Sequence, residues 1–337
     1  MRVRVLLLGG TDLTLAIARS LESLGFGPAG VVHVPPTFAI SYSPSGLNNV
    51  RHADLAAWCD DRRIPAFAYD GVASLAEAAA ATQAEFCLAA GWYHMVPRRI
   101  RDLFPKGTAG LHASLLPCLR GGAPLNWALL SGARETGVTL FELDEGVDDG
   151  AVWDQEAFAI EPRATIGDLV RQAESASLRM VRRCLPRIAD GQSSPRPQVG
   201  VPSYGLARTP DDGLIKWSGT AAEIDRLIRA VGRPYPGAFT WLDERKVTVW
   251  AAEPLDTPVM VHGAPGQIAR LPGHEHPLVV TTAGLLSIRE AGGPEGEDAL
   301  PMLLRSANRR LGDAATPNQR AWRQPQAHRS GCEGAGT

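Results

Sequence analysis

The sequence predicts an α/β fold, a parallel sheet with helical crossovers, followed by a small antiparallel barrel. Three observations carry this. Over the first 150 residues, short apolar runs alternate with stretches of helical spacing. A Gly-, Ser- and Pro-rich segment, Gly191–Pro202, then interrupts the pattern. Beyond it come short strand-like runs separated by turn residues, as a small barrel requires.

Val3–Leu8 is almost wholly apolar, as a strand buried on both faces should be. After the break at Gly9-Gly10-Thr11, Leu13, Ile17, Leu21 and Leu24 fall along one helical face. Ala29–Val34 reads as the second strand, Asp54–Arg63 as a helix and Ala66–Tyr69 as a short extended piece. Leu75–Ala81 is an Ala-rich helix and Phe86–Ala90 another buried strand. Repeated βα units imply a parallel sheet with ligands at the carboxyl ends of its strands. Pro35–Val50 is a polar loop, either functional or a solvated connection. Ile166–Ile188 is helical and leads into the linker. Ala221–Val231 is a further helix. The short strands are Ala238–Trp241, Lys246–Ala251, Gly266–Ala269, Leu278–Thr281 and Leu285–Glu290. The expected organisation is therefore a first domain over 1–203, a barrel over 204–312 and a disordered tail over 313–337.

Composition excludes several classes. With 45% hydrophobic and 21% charged residues, the 337-residue chain is globular and long enough for two domains. It has 34 basic and 36 acidic residues, a net charge of −2, without the basic excess of a nucleic-acid binder. No apolar run reaches membrane-spanning length and no secretory signal is present, so a cytoplasmic protein is expected. The five cysteines (Cys59, Cys87, Cys118, Cys184 and Cys332) show no C-x-x-C spacing, so neither a metal site nor a disulfide framework is expected. Gly9-Gly10-Thr11 lacks the full G-x-G-x-x-G pattern and reads as a turn, not a dinucleotide site. Trp92, Tyr93, Trp127 and Trp153 suggest stacking platforms or core packing, with packing favoured for Trp127 and Trp153.

The chemistry is concentrated in Gly91–Gln155. His112 ends one expected strand, and Asp148 follows another, Val138–Leu143. In a parallel sheet both would open at one edge, where a carboxylate can orient an imidazole for proton transfer. Taken alone, the pair also has a bland reading, a structural His and an Asp placed for its turn.

The wording of the segment goes further. His112-Ala-Ser-Leu-Leu-Pro-Cys-Leu-Arg-Gly-Gly-Ala-Pro-Leu-Asn-Trp-Ala-Leu, Glu135-Thr-Gly-Val-Thr and Asp144-Glu-Gly-Val-Asp-Asp-Gly closely resemble the 10-formyltetrahydrofolate-dependent formyltransferases. That family includes methionyl-tRNA formyltransferase, glycinamide ribonucleotide transformylase and the amino-sugar-nucleotide N-formyltransferases. The run from His112 to Thr139 is most similar to the 4-amino-4-deoxyarabinose and methionyl-tRNA branches. Leu214-Ile-Lys-Trp-Ser, Arg233-Pro-Tyr-Pro-Gly-Ala-Phe-Thr, Gly263-Ala-Pro-Gly-Gln-Ile and Thr282-Ala-Gly-Leu-Leu are similar, in order, to the family's C-terminal domain. Glycinamide ribonucleotide transformylase lacks that domain.

The resemblance implies a Rossmann-like sheet of the formyltransferase fold with a C-terminal OB-like β-barrel. It implies 10-formyltetrahydrofolate as cosubstrate and a small-molecule amine as acceptor, and it leaves the oligomeric state open. His112 would be the catalytic imidazole and Asp148 its carboxylate partner. The folate would lie against Trp92, Tyr93, His94, Met95, Val96 and Pro97 on one side and Leu143, Asp144, Gly146 and Asp148 on the other. Ser114, Leu115, Leu116 and Pro117 would floor the acceptor site. Arg120, Gly121, Gly122 and Asn126 would border it, with Arg120 placed to meet an anionic group.

One position departs from the pattern. The family carries Asn two residues before its His, and this chain has Gly110. Losing such an oxyanion donor costs about 10²–10³ in rate. Three outcomes are open. Another donor replaces it, with Asn126, His94, Thr108 and an ordered water as candidates. The acceptor fills the space. Or the chain binds folate without formylating, or runs an altered one-carbon reaction. A methionyl-tRNA formyltransferase is the alternative within the family, against which the near-neutral charge speaks. A formyltetrahydrofolate hydrolase would carry a regulatory domain ahead of the transferase domain.

Overall fold

The computed structural model describes residues 3–40 and 43–312. The expected tail, 313–337, and Cys332 lie outside the described residues. The described residues divide into two compact units, 3–213 with 226–237 and 214–225 with 238–312.

The strands of the first unit are β1 (Val5–Gly9), β2 (Gly30–His33), β3 (Thr37–Ile40), β4 (Ser43–Asn48), β5 (Ala66–Ala68), β6 (Phe86–Ala89), β7 (Thr108–His112), β8 (Arg120–Gly121), β9 (Glu135–Glu142), β10 (Val152–Ala159) and β11 (Tyr204–Gly205). Seven of them form one sheet in the order β10-β9-β7-β6-β1-β2-β5. From β5 to β7 the neighbours are parallel, as the alternating pattern predicts.

The edge beyond β7 differs from that expectation. β9 runs antiparallel to β7, pairing Ala109 with Glu142 and His112 with Thr139. The carboxyl end of β9 therefore opens beside the start of β7, not beside His112. β10 pairs antiparallel with β9. Its alternation of more and less exposed side chains, in VWDQEAFA, is the signature of a half-covered edge strand. The long helix Ile166–Ala189 packs its buried face (Leu169, Ala173, Ala176, Met180 and Leu185) into the main core with Leu7, Phe86 and Leu140. A capping box starts it, with Thr165 and Asp168 exchanging side-chain and backbone hydrogen bonds.

Pro35–Val50 is not simply a loop: β3 and β4 form a hairpin there. The turn at Gly9–Thr11 is a packing turn. A Cβ on Gly9 would lie 2.3 Å from the Ala90 carbonyl oxygen. The N–H groups of Gly10 and Thr11, which a dinucleotide phosphate would need, both donate to Thr14 Oγ1, at 3.1 Å each.

The second unit holds β12 (Ala238–Leu242), β13 (Arg245–Pro254), β14 (Ile268–Ala269), β15 (Leu278–Val280) and β16 (Leu285–Gly292). They form an antiparallel sheet in the order β12-β13-β16-β15-β14. Arg310 bridges to Gln267 beside one edge, and Gly312 bridges to Trp241 in the strand at the other, so the sheet curls into a half-barrel. Leu278, Val280 and Leu285 are among the side chains buried in it.

Candidate active site

β7 carries His112 to the end of the parallel part of the sheet. The ring is 8% exposed. Its Nδ1 lies 3.3 Å from Asp148 Oδ2, and its Nε2 lies 2.7 Å from the Leu119 carbonyl oxygen. Both nitrogens face oxygen. A ring with N–H on both fills both hydrogen bonds, whereas a ring with one N–H fills only one.

Asp148 reaches His112 by a route the sequence does not announce. Because β9 ends at the far edge, the segment from Leu143 to Ala151 must turn back. Glycines make that turn possible. A Cβ on Gly150 would lie 1.8 Å from the Glu142 carbonyl oxygen, and one on Gly146 would lie 2.0 Å from Asp149 Oδ2. Asp148 sits at φ +51°, a left-handed conformation that Asp tolerates better than most residues. Its Oδ2 also accepts the Gly121 N–H at 2.8 Å. One carboxylate oxygen thus joins the imidazole to the Arg120-Gly121-Gly122 turn.

That turn is itself held in place. β8 pairs in parallel with β11, Arg120 against Tyr204 and Gly121 against Gly205. The two glycines allow the approach, since a Cβ on Gly121 would be 2.7 Å from the Gly205 carbonyl oxygen and one on Gly122 2.6 Å from Ala207 Cα. Arg120 donates from Nε (3.1 Å) and Nη2 (2.7 Å) to Gln198 Oε1.

The floor beside His112 is a closed polar network. Thr139 Oγ1 donates to the Ser114 carbonyl (2.7 Å) and accepts the Leu116 N–H (3.1 Å). Gln155 Nε2 donates to the Leu116 carbonyl (2.8 Å) and to Thr139 Oγ1 (2.9 Å). Ser114 Oγ donates to the Cys118 carbonyl. Leu115 packs against Gly137, where it leaves no room for a side chain, and the Pro117 carbonyl accepts the Ser203 N–H.

β6 delivers the other wall. Trp92, Tyr93 and His94 lie in an aromatic nest with Phe38 from the hairpin and Tyr69. Tyr69 is 4.3 Å from His94 and 4.9 Å from Trp92 between ring centroids, and Phe38 is 4.9 Å from Tyr93. Among the described residues, Trp92 Nε1 and His94 Nε2 are buried with no hydrogen-bond partner. Burial lowers the His94 pKa below its ordinary value. Met95 is exposed, Val96 is buried, and Trp92 and Leu143 pack against the same core cluster as Val96. Pro97 caps the helix Arg98–Arg101. From that helix Arg101 Nη1 donates to the Leu143 carbonyl (2.6 Å) and to Asp144 Oδ1 (3.0 Å). The Arg101 hydrogen bond, first, and the Glu145 N–H hold the Asp144 carboxyl below its usual pKa.

Two expectations about Gly110 are corrected. The space its missing side chain leaves is not open to an acceptor: Leu143 and Phe141 side chains occupy it. Asn126 is not a free donor either, since its Nδ2 donates to the Ala230 carbonyl at 2.7 Å.

The chain matches the model "Formyl transferase" over residues 68–184 and "Formyl transferase, C-terminal domain" over 208–302. The chain belongs to the formyltransferase family. Its first matched segment spans His112, Asp148 and the loops around them. Among solved structures it is similar in fold to HypX from Aquifex aeolicus in complex with tetrahydrofolic acid (19% identity, 88% of this chain, 45% of that chain, TM-score 0.59). It spans about half the length of the HypX structures it matches. It is also similar to an N-formyltransferase from Helicobacter canadensis in complex with folinic acid and dTDP-3-aminofucose (18% identity, 85% and 99% coverage, TM-score 0.64). A third similar structure is methionyl-tRNA formyltransferase from Clostridium thermocellum (16% identity, 74% and 93% coverage, TM-score 0.52).

Sequence reasoning alone misses Phe38, Tyr69, Thr139, Gln155 and Gln198. Phe38 lies in a segment that reads only as a long polar loop. Gln198 lies inside the stretch that reads as a linker. Among the described residues no group of three or more His, Cys, Asp or Glu side chains could hold a metal ion, and no helix is long and apolar enough to cross a membrane.

Proposed function

We propose that this chain moves the formyl group of 10-formyltetrahydrofolate to the amine of a small molecule, of the class of nucleotide-linked amino sugars or specialised-metabolite amines. The observation that carries the reading is the His112–Asp148 contact inside the matched family segment. The acceptor nitrogen attacks the formyl carbon, and the bond from that carbon to N10 of the folate breaks. The acceptor loses a proton and N10 gains one. His112 is the group that moves this proton, and Asp148 orients its ring.

The folate fits the wall built from Trp92–Pro97 and Leu143–Asp148. A flat pterin with polar edges suits a nest that buries Trp92 Nε1 and His94 Nε2 without partners. Ser114–Pro117, Arg120–Gly122 and the neighbourhood of Asn126 border the acceptor. The net charge of −2 and the structural likeness to an enzyme solved with a nucleotide-linked amino sugar support a small acceptor. Residues 1–203 form the catalytic domain of this proposal. Residues 204–312 form an OB-like barrel, and the protein works in the cytoplasm.

The test compares acceptors at fixed 10-formyltetrahydrofolate. Nucleotide-linked amino sugars, free amino acids and methionyl-tRNA are offered in parallel, and kcat/KM is measured for each. A small amine is expected to exceed methionyl-tRNA by orders of magnitude; preference for the tRNA would overturn the acceptor class.

A further inference from the structure

We propose that Gln198 is a positioning residue that holds Asp148 on His112 and, through the same side-chain amide, aims the guanidinium of Arg120. The inference rests on the formyl-transfer reading above. It assigns a role at that site to a residue in the Gly-, Ser- and Pro-rich stretch that the sequence presents as a linker.

The amide of Gln198 uses every hydrogen-bonding group it has. Its Nε2 donates to the carbonyl oxygens of Asp148 and Gly150, each at 2.8 Å. Its Oε1 accepts from Arg120 Nε at 3.1 Å and Nη2 at 2.7 Å. On one side, then, it grips the backbone of the residue whose Oδ2 lies against His112 Nδ1 and the Gly121 N–H. Asp148 stands at φ +51°, where an L-residue persists only if its surroundings fix it. The two bonds from Nε2 fix its carbonyl and that of Gly150 together.

On the other side, the contacts of the Arg120 side chain among the described residues are to neutral groups: the Gln198 oxygen, the Tyr204 hydroxyl at 3.4 Å and the Tyr204 ring with its centroid 6.0 Å away. A neutral amide can direct a guanidinium without cancelling its charge, which keeps that charge available to an anionic group on the acceptor. The segment that carries Gln198 is anchored to the sheet, since Arg196 and Val152 exchange backbone hydrogen bonds at 2.7 and 2.8 Å.

Glutamine is the side chain that suits both partners. Glutamate would still meet Arg120, but it has no N–H for Asp148 and Gly150 and would set a charge against their carbonyls. Leucine would meet neither. Both substitutions therefore break the hold on Asp148, leucine by removing the amide and glutamate by replacing its N–H donors, and both disturb Arg120 in different ways. A residue that merely staples the linker would lower stability and leave the imidazole and the two kinetic constants alone.

The experiment uses the full chain with Gln198→Glu and Gln198→Leu. The ¹⁵N and ¹H signals of the His112 imidazole, assigned by their loss in His112→Ala, are recorded without any substrate. Transfer kinetics are measured with the best acceptor of the panel. Both variants are expected to move the His112 signals and to lower kcat by about tenfold or more, the scale of one lost hydrogen bond in a transition state. The acceptor KM is expected to rise in both variants, since leucine leaves Arg120 without its guide and glutamate sets a negative charge against its guanidinium. Unmoved His112 signals in both variants would overturn the proposal whatever the activity. If the wild-type chain transfers formyl to no amine, the functional reading fails, while the imidazole signals still decide the role of Gln198. Should Gln198→Leu fail to fold, the His112 signals of Gln198→Glu decide the matter alone.

Discussion

Leu143 stands where a side chain on Gly110 would project: a Cβ built there lies 2.8 Å from Leu143 Cδ2 and 3.0 Å from Phe141 Cε1. The position at which the family carries an amide donor is thus walled by two apolar side chains. Gly110→Asn alone should overpack the site and cost about 1–3 kcal/mol of stability. Pairing it with Leu143→Ala makes room for the amide and should recover part of that loss. The double variant is also expected to transfer formyl faster than Leu143→Ala alone. Urea unfolding and initial rates of the three variants check this; Gly110→Asn at wild-type stability would show that the space is open after all.

Asp148 meets His112 through its carboxylate, and its left-handed backbone is one that Asp tolerates. Asn tolerates that conformation too, so Asp148→Asn should fold normally. It should nevertheless lower the transfer rate by about 10²–10⁴-fold, the range for disabling a general acid–base group. Circular dichroism and kcat, measured together, separate the two effects. A folded variant at wild-type rate would remove Asp148 from the chemistry.

Thr139 is fully buried and joins Ser114, Leu116 and Gln155 under His112. Thr139→Val conserves shape but leaves the Leu116 N–H without its acceptor. Each buried group left unsatisfied costs about 1–3 kcal/mol, so thermal unfolding should shift down clearly. Thr139→Ser should restore most of it. Equal unfolding temperatures for the valine and serine variants would contradict the network.

Burial lowers the His94 pKa from 6.5, so the folded chain favours the neutral ring. The unfolded chain then binds more protons in the intervening window, and stability rises with pH there. The contribution is complete above about pH 6.5 and is lost as pH falls through the lowered folded value. His94→Phe should flatten the pH dependence of unfolding below pH 6.5. A residual slope is expected from His33, whose pKa is also lowered, by burial first and then by His52. An unchanged slope in His94→Phe would show that His94 is protonated as easily in the nest as in the unfolded chain.

Much of this was legible in the sequence. Apolar runs at Val3–Leu8 and Phe86–Ala90 mark strands of the parallel core, and the wording around His112 and Asp148 marks the family. What was not legible depends on strand direction. Nothing in Val138–Leu143 says that β9 runs against β7, because alternation and apolarity report burial and not polarity of the chain. β10 has no reading in the sequence for a related reason: Asp154 and Glu156 interrupt the apolar run that would mark a buried strand. Gln198 escaped because turn-rich composition reports a break in regular structure, not what the break touches. Leu143 could not be foreseen over Gly110, since that contact is made across two strands and a returning loop.

The central claim is best tested with 10-formyltetrahydrofolate labelled with ¹³C at the formyl carbon, incubated with wild-type chain and with His112→Ala in the presence of the amine panel. ¹³C spectra follow the label directly. The formyl signal is expected to leave the folate and appear as a new N-formyl product with one small amine, and His112→Ala is expected to leave the label where it was. Label that stays on the folate with the wild-type chain and every amine would contradict it, as would a His112→Ala variant that transfers the label at the wild-type rate.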